Sequence, residues 1–413
     1  MKKKKKWLIF RHRVVRNLAF AVLYPYSKWK YGITVEKFKK QGNRAYFVLM
    51  NHQTAFDQFF LGMAFKGPVY YVASENLFSK GWVSALIRWL VNPIPIKKQV
   101  TDVGAVMNCI RVAREGGTIG IAPEGNRTYS GKTEYMNPAI APLAKKLKLP
   151  IALYRIEGGY GVHPRWSDTL RKGKMRGYVS RVIEPEEAAA MTNEQLFDEI
   201  QKGLYVDEGV ADGSFRSSKK AEYLERAMYV CPSCGLSTFE SHGNEIQCKK
   251  CLRKVTYGED KSLTGVGFDF PFRFTTQWYD YQKNFVNALD VTRCTEEPLY
   301  QERSALFEVI VYKTKNLLRK DGQIALYGNR IVIDQGTLQE MVLPFDEVTA
   351  MSVLGRNKLN IYHKEQVYQL KSDPRFNALK YVNIYFRYKN IRKGEENSTF
   401  LGLLPDGKEL TFL

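Results

Sequence analysis

The sequence predicts an α/β domain, followed by a small zinc ribbon and a β-rich C-terminal domain. Short apolar runs that lead through a polar loop into a helical pattern indicate the α/β part in the first half of the chain. Two Cys-x-x-Cys pairs after residue 230 indicate the ribbon. Short alternating runs from about residue 305 onward indicate the β-rich part.

The composition is that of a globular protein with an unusual charge. The chain has 413 residues, enough for two or three domains, and 44% of them are hydrophobic. The formal net charge is +21, and residues 1–40 contain thirteen Lys or Arg but one acidic residue, Glu36. Such a concentration of positive charge favours a polyanionic partner, either an anionic membrane surface or nucleic acid.

The first thirty residues predict a membrane-anchoring segment. A helical spacing relates five apolar residues: Trp7, Phe10, Val14, Leu18 and Ala21. Arg13 and Arg16 fall on the opposite side, so residues 1–30 are expected to lie as an amphipathic helix in the interface of an anionic membrane. Arg11 falls within the apolar stripe, which favours the alternative of a helix packed on the core behind a solvated lysine tail.

The same region bears on localisation. No run reaches 18 uninterrupted apolar residues, and arginines interrupt the apolar part that a secretory signal would need. We therefore expect reduced cysteines and a location at the cytoplasmic face of a membrane, peripheral or monotopic.

A histidine and an aspartate five positions apart follow the first strong apolar run. Tyr46–Met50 predicts a buried strand, Asn51-His52 the loop at its carboxyl end, and residues 54–65 a helix. The carboxylate of Asp57 is expected to accept the Nδ1 proton of His52 and to leave Nε2 facing a substrate, so that His52 acts as a general base. The alternative is an ordinary loop histidine beside a helix-capping acid.

A second polar loop follows some seventy residues later. Thr101 or Asp102 is expected to cap a helix that ends before Gly116-Gly117, and residues 118–122 predict the next strand. In the loop Pro123-Glu124-Gly125-Asn126-Arg127, Gly125 permits a tight turn and Arg127 offers a planar fork for a phosphate. Glu124 would hydrogen-bond a substrate or position Arg127. The alternative is an ordinary turn with a surface ion pair.

Together, the two loops resemble the two main motifs of the glycerophospholipid acyltransferase family, and in particular those of the lysophosphatidic acid acyltransferases. The resemblance covers roughly residues 30–210 and implies an α/β sheet domain. It also implies direct transfer of a fatty acyl group from acyl-CoA or acyl-carrier protein to the free sn-2 hydroxyl of lysophosphatidic acid, which gives phosphatidic acid. In that reaction His52 and Asp57 would be catalytic, Glu124, Gly125 and Arg127 would bind substrate, and amides near Gly125 would stabilise the oxyanion.

Two blocks depart from the family pattern. Lys98, or its neighbour Lys97, stands where the family places an arginine that contacts the acceptor phosphate, and lysine is a point charge rather than a fork. Tyr135–Pro138 replaces a Phe-Lys-x-Gly stretch. These departures favour an alternative in which another lysophospholipid or lipid hydroxyl is acylated. Leu149–Leu153 resembles a family block that forms the strand beneath the site.

The four remaining site residues predict a metal centre. Cys231, Cys234, Cys248 and Cys251 form two knuckles thirteen residues apart, the spacing of a structural zinc ribbon with four thiolate ligands. Redox pairs or disulfides are the alternatives, and His242 is expected to face solvent. Because ribbons often bind nucleic acid, a rival function is a non-catalytic membrane- or nucleic-acid-binding protein on an acyltransferase fold. The intact motif residues oppose that rival, and nucleic acid is not the expected partner.

The C-terminal third predicts an aromatic-rich helical connector and a β-rich domain. The connector aromatics are expected to pack in a core, and the β-runs with a closing helix near residues 378–386 resemble a pleckstrin-homology or GRAM-like domain. The predicted segments are residues 1–30 (anchor), 31–212 (acyltransferase domain), 213–262 (linker and ribbon), 263–300 (connector) and 301–413 (β-rich domain).

Overall fold

The structure, a computed structural model, describes residues 6–78, 81–96, 102–310 and 314–394. The chain divides into two compact units. Among the described residues, the first consists of residues 6–165 and 170–216, and the second consists of residues 166–169 and 217–394, in each case without the gaps given above.

The secondary structure is as follows. The helices are α1 (Phe10–Tyr31), α2 (Asp57–Ala64), α3 (Trp82–Val91), α4 (Val103–Arg114), α5 (Ile140–Leu147), α6 (Gly159–Val162), α7 (Pro185–Ala190), α8 (Asn193–Leu204), α9 (Thr275–Ala288) and α10 (Leu379–Arg392). The strands of the first unit are β1 (Ile33–Val35), β2 (Phe47–Met50), β3 (Val69–Ser74), β4 (Ile94–Ile96), β5 (Thr118–Ile121), β6 (Ile151–Glu157) and β7 (Met175–Ile183). Those of the second unit are β8 (Val230–Cys231), β9 (Gly235–Leu236), β10 (Phe239–His242), β11 (Glu245–Cys248), β12 (Lys254–Tyr257), β13 (Leu263–Gly265), β14 (Tyr300–Val309), β15 (Lys315–Leu326), β16 (Arg330–Ile333), β17 (Met341–Pro344), β18 (Val348–Leu354), β19 (Lys358–His363) and β20 (Gln366–Lys371).

The first unit is built on a parallel-rich sheet, as the sequence predicts. Among the described residues, seven strands lie in the order β1-β7-β6-β2-β5-β3-β4. Strands β2, β3, β4, β5 and β6 run parallel to one another in this sheet, while β7 runs antiparallel to β6. The carboxyl ends of β2, β3, β4, β5 and β6 therefore meet at one edge, which we call the carboxyl edge.

Alternation along β2 divides the core of this unit into two layers. Phe47 and Leu49 point to one layer, which includes side chains of α4, α5 and α8. Val48 and Met50 point to the other layer, which includes side chains of α2 and β7. A strand that is buried on both faces reads as a continuous apolar run, which is why Tyr46–Met50 is recognisable in the sequence.

Helix ends near the carboxyl edge follow local capping rules. The Asp102 side chain accepts a hydrogen bond from the Ala105 amide at 3.0 Å and starts α4, as predicted. Helix α2 begins at Asp57, three residues later than predicted, because the Asp57 carboxylate accepts hydrogen bonds from the Gln53 and Thr54 amides and holds the preceding residues in a turn.

The second unit is β-rich, which confirms the sequence prediction. Its described strands form a β8-β9 pair, a four-stranded sheet in the order β10-β11-β12-β13, and a seven-stranded sheet in the order β17-β16-β15-β14-β20-β19-β18. Helix α10 packs against β18 and α9 and is buried along most of its length. A turn that contains Gly328-Asn329 joins β15 to β16, and the connector aromatics Trp278 and Tyr279 of α9 are buried as predicted. The likeness to a pleckstrin-homology or GRAM-like domain stays a prediction.

The predicted linker after residue 212 is fixed to the first unit at its start. The ring of Phe215 is buried. It fills the space beside two glycines, so that a Cβ on Gly161 or Gly173 would lie 2.2 or 2.3 Å from a ring atom. Lys172 and Arg216 exchange two backbone hydrogen bonds of 2.9 Å. The passage to the second unit therefore falls after Arg216.

Candidate active site and metal centre

The loop that carries His52 is held at the carboxyl edge by the preceding asparagine. The buried amide of Asn51 donates to the Ile156 carbonyl at 2.8 Å and accepts from the Ile156 amide at 2.7 Å. Through the Asn51 side chain, these two hydrogen bonds continue the pairing of β2 with β6 by one residue beyond the end of β2. The backbone of His52 is thereby fixed relative to two neighbouring strands.

The Asp57 carboxylate orients the imidazole of His52. Nδ1 of His52 lies 2.8 Å from Oδ2 of Asp57. The same carboxylate accepts hydrogen bonds from the amides of Gln53 and Thr54 and from the Thr54 hydroxyl. Because a carboxylate only accepts, Nδ1 carries the proton and the role of a base falls to Nε2. Asp57 is fully buried, whereas the His52 side chain is 22% exposed. Solvent can therefore reach the imidazole but not the carboxylate that orients it. Asp57 thus holds the imidazole and also fixes the turn that starts the helix.

Glu124 connects the two motif loops. Its Oε1 accepts from the His52 amide at 2.9 Å, and its Oε2 accepts from the Glu134 amide at 3.0 Å. Burial raises the pKa of Glu124 to about 8, against the opposite effect of the two amide hydrogen bonds. From the sequence, Glu124 is expected to hydrogen-bond a substrate or to position Arg127. In the structure, each of its oxygens accepts a hydrogen bond from a backbone amide.

The loop around Gly125 forms a tight turn, as predicted. Gly125 has φ of 65°, and its amide donates to the Ala122 carbonyl at 3.0 Å. The predicted donation from amides near Gly125 to an oxyanion therefore does not extend to the Gly125 amide in this arrangement. The Thr128 amide donates to the His52 carbonyl at 3.2 Å, which gives the two motif loops a second connection.

Arg165, which the sequence did not indicate as a site residue, supports the loop that carries Arg127. Its Nη1 donates to the Arg127 carbonyl at 2.7 Å, and its guanidinium lies 4.3 Å from the centre of the Tyr129 ring. Arg165 is buried. It follows β6, a third strand that ends at the carboxyl edge, and no motif marks it, because its role depends on a residue 38 positions away.

The structure thus brings His52, Asp57, Glu124, Gly125 and Arg127 to the ends of two adjacent parallel strands, β2 and β5. Lys97 and Lys98 lie outside the described residues. The arrangement provides a histidine base oriented by a buried carboxylate, beside a loop with an arginine. It suits proton removal from a hydroxyl next to an anionic group.

Comparison with known families agrees with this chemistry. Residues 32–155 match the family model described as Acyltransferase. The first unit contains an acyltransferase domain. The matched range includes both motifs and ends within β6, so the family resemblance that the sequence analysis drew from the two loops is confirmed.

One solved structure is similar to part of this chain. The 1-acyl-sn-glycerophosphate (LPA) acyltransferase PlsC from Thermotoga maritima is 22% identical, with a TM-score of 0.39, over 48% of this chain and 81% of that chain. No curated protein matches this chain.

The four cysteines of the predicted ribbon come together in the second unit. The sulfur atoms of Cys231, Cys234, Cys248 and Cys251 all lie within 4.8 Å of one another, and none of the four is in a disulfide. The Cys231 and Cys251 sulfurs are 3.8 Å apart. Four sulfurs at about 2.3 Å from a tetrahedral Zn²⁺ are about 3.8 Å apart, so the cluster could hold this ion.

Local structure explains why these sulfurs converge. The first knuckle is the β8-β9 turn, where Gly235 has φ of 72°, and Gly243 with φ of 60° turns β10 into β11. Glycine adopts this left-handed conformation without the steric cost that a side chain would add. His242 is exposed and contacts Glu240 at 3.0 Å rather than a cysteine. If all four sulfurs bound one Zn²⁺, no coordination position would remain open for a substrate, as in structural zinc sites.

Proposed function

We propose that this protein is an O-acyltransferase of glycerophospholipid metabolism. It would move a fatty acyl group from acyl-CoA or acyl-carrier protein to the sn-2 hydroxyl of lysophosphatidic acid and produce phosphatidic acid. The observation that carries the proposal is the contact of 2.8 Å between His52 Nδ1 and Asp57, at the edge where the Glu124–Arg127 loop ends the adjacent strand. The acyltransferase match over residues 32–155 supports it.

The reaction follows from these positions. Nε2 of His52 removes the proton of the acceptor hydroxyl, and the oxygen attacks the carbonyl carbon of the thioester. The tetrahedral intermediate collapses with loss of the thiolate, which takes the proton from the imidazolium. An ester forms, a thioester is broken, and no covalent acyl-enzyme is required. Arg127 and a lysine of the pair Lys97-Lys98 would bind the acceptor phosphate.

A different acceptor is the second candidate within the same chemistry. The pair Lys97-Lys98 offers point charges where the family has an arginine, and Met136 of the Tyr135–Pro138 block is buried in the core rather than offered to a ligand. These two observations favour a lysophospholipid with a different headgroup. The alternative that is not an enzyme is a membrane- or nucleic-acid-binding protein with the same fold.

The protein would meet its acceptor at the cytoplasmic surface of a membrane. Among the described residues, no helix is long and apolar enough to cross a bilayer. Helix α1 instead exposes an apolar stripe along one side, with Phe10 78% and Trp29 81% exposed, and it carries no acidic residue. A cationic helix with this pattern suits the interface of an anionic leaflet. The cysteine cluster is assigned Zn²⁺ in a structural role.

An acyl-transfer assay tests the proposal. Purified protein is mixed with acyl-CoA, or with acyl-carrier protein, and a panel of lysophospholipids, and free thiol is measured. We expect His52→Ala to lower the rate by about 10²- to 10⁴-fold. His242→Ala, which removes an exposed imidazole in the second unit, is the matched control and should keep the wild-type rate. Equal inactivity of wild type and His52→Ala with every acceptor and both donors would refute the enzyme and favour the binding protein.

A further inference from the structure

Helix α3 presents apolar side chains to solvent. Its sequence contains one cation, Arg88, and one small polar residue, Ser84, among otherwise apolar residues. Ser84 is the residue of α3 that is buried, whereas Trp82 is 77% and Trp89 54% exposed. This is the reverse of a helix on a globular protein, which buries its apolar face and exposes its polar one. An exposed apolar face of this kind marks an interaction surface.

Three large apolar side chains of α3 lie on one side of the helix. Trp82, Leu86 and Trp89 are spaced by four and three positions, and all three are exposed. We call them the α3 face. The opposite side is fixed to the first unit, because the Ser84 hydroxyl donates to the Leu77 carbonyl at 2.7 Å.

The α3 face adjoins the exposed stripe of α1. The guanidinium of Arg11 donates to the Trp89 carbonyl at 2.9 Å and lies 4.3 Å from the centre of the Trp89 ring. The indole of Trp7 donates to the Asn92 carbonyl at 3.0 Å, just after α3 ends. The start of α1, which carries the exposed stripe, therefore lies against the C-terminal end of α3.

The charge around this surface is positive. From Lys6 to Tyr31 the sequence has six Lys or Arg and no acid, and α3 adds Arg88. The acidic group that packs against the start of α1 is Glu115, whose carboxylate accepts from the Trp7 and Leu8 amides and pairs with Arg111. An apolar face with tryptophans, bordered by cations, is complementary to the interface of an anionic bilayer rather than to a cationic or neutral polar partner.

The position of α3 relates this surface to the site. Strand β3 runs parallel to its neighbour β5 and ends at Ser74, so the chain leaves β3 at the carboxyl edge, where His52 and Glu124 also lie. Trp82, the first residue of α3, follows eight positions later. The chain therefore passes from the carboxyl edge, where the site lies, into α3 within eight positions.

We propose that α3 is a second membrane-contacting element, which lies in the plane of an anionic leaflet and inserts Trp82, Leu86 and Trp89 beside the stripe of α1. Ten residues of helix extend about 15 Å, half of the hydrocarbon thickness, so α3 contacts the bilayer without crossing it. The role in supplying a lipid acceptor rests on the proposed function. The contact with lipid does not, because binding to vesicles needs neither acyl donor nor turnover.

Vesicle binding by the full-length protein tests the proposal. Co-sedimentation with vesicles of equal parts phosphatidylcholine and phosphatidylglycerol gives the partition coefficient of each variant. We expect Leu86→Ala and Trp82→Ala each to lower it by about tenfold, because the removed carbons no longer enter the acyl boundary. Leu338→Ala makes the same change at a fully exposed leucine of the second unit and should leave partitioning unchanged.

Two results would overturn the proposal. The first is unaltered partitioning of Leu86→Ala and Trp82→Ala at both low and high salt, while Phe10→Asp in α1 releases the protein; the membrane contact would then be made by α1 without α3. The second is self-association of the wild type that Leu86→Ala abolishes while vesicle binding persists, which would assign the face to a second copy of the chain. Because the replaced side chains are exposed, circular dichroism should show that the variants fold.

Discussion

Replacement of Glu124 by glutamine tests whether its carboxyl group couples the two motif loops. Each oxygen of this group accepts one amide hydrogen bond, one from His52 and one from Glu134. Glutamine has a single acceptor oxygen of the same reach, and its NH₂ group cannot accept. One of the two amides is left without a partner in a buried place, which costs about 1–3 kcal/mol of the free energy of unfolding.

The catalytic effect should exceed the effect on stability. If the amide that loses its acceptor is that of His52, the imidazole shifts relative to the Arg127 loop. A misplacement of about 1 Å can lower a rate by about 10²-fold. We therefore expect Glu124→Gln to lower kcat by about this factor, with a smaller change in KM for the acceptor. Denaturant unfolding and steady-state kinetics of the same preparation measure both quantities.

The pH dependence of stability gives an independent readout. Burial raises the pKa of Glu124 from 4.5 to about 8. A carboxyl group with a raised pKa in the folded state contributes stability below pH 4.5 that is lost progressively as the pH rises to about 8. The free energy of unfolding of the wild type should therefore fall relative to that of Glu124→Gln as the pH rises from 4.5 to about 8. Above this range, the difference between the two proteins should no longer change with pH.

The control is Glu186→Gln at an exposed position of α7, which should change neither quantity. Wild-type stability and wild-type kcat in Glu124→Gln would refute the coupling. A raised KM with unchanged kcat would instead assign Glu124 to acceptor binding.

Three further predictions concern the same two centres. Asp57→Asn removes an acceptor from His52 Nδ1 and should lower kcat by about 10³- to 10⁴-fold; retention of a tenth of wild-type kcat would contradict the orienting role. Arg165→Met removes the hydrogen bond to the Arg127 carbonyl and should raise the acceptor KM more than it lowers kcat, as measured in initial-rate assays; equal kinetics would show that the loop needs no support. Cys248→Ser, or a strong chelator, should expose residues 230–257 to limited proteolysis, because metal binding contributes folding free energy. Elemental analysis should find about one Zn²⁺ per chain in the wild type and less in the variant. Unchanged protease resistance would contradict a structural metal.

Contacts between residues near in sequence were predictable. The pair His52 and Asp57 lies within one turn of backbone, so its geometry follows from the strand, loop and helix that the apolar pattern indicates. The cysteine knuckles and their glycine turns are equally local. The cap at Asp102 follows from residue type and position alone.

Contacts that depend on the tertiary arrangement were not predictable. The bonds from Glu124 to His52 and from Arg165 to Arg127 join residues 72 and 38 positions apart, and no local pattern records the direction of either side chain. From its sequence alone, α3 would be taken for a buried helix or strand. A run of apolar residues has the same pattern whether the fold buries it or leaves it exposed. Its exposure follows from what the rest of the fold leaves uncovered.

The buried ring of Phe215 determines how far the acyltransferase part of the chain can be truncated at its C-terminal end. A chain that stops at residue 212 loses the aromatic plug that occupies the gap over Gly161 and Gly173. Deleting a buried phenylalanine side chain typically destabilises a domain by about 3–5 kcal/mol, a large part of an ordinary domain's margin. An isolated acyltransferase fragment should therefore extend to Arg216. It would still contain the four residues Trp166–Thr169, which belong to the second unit and would lose the residues that they pack against.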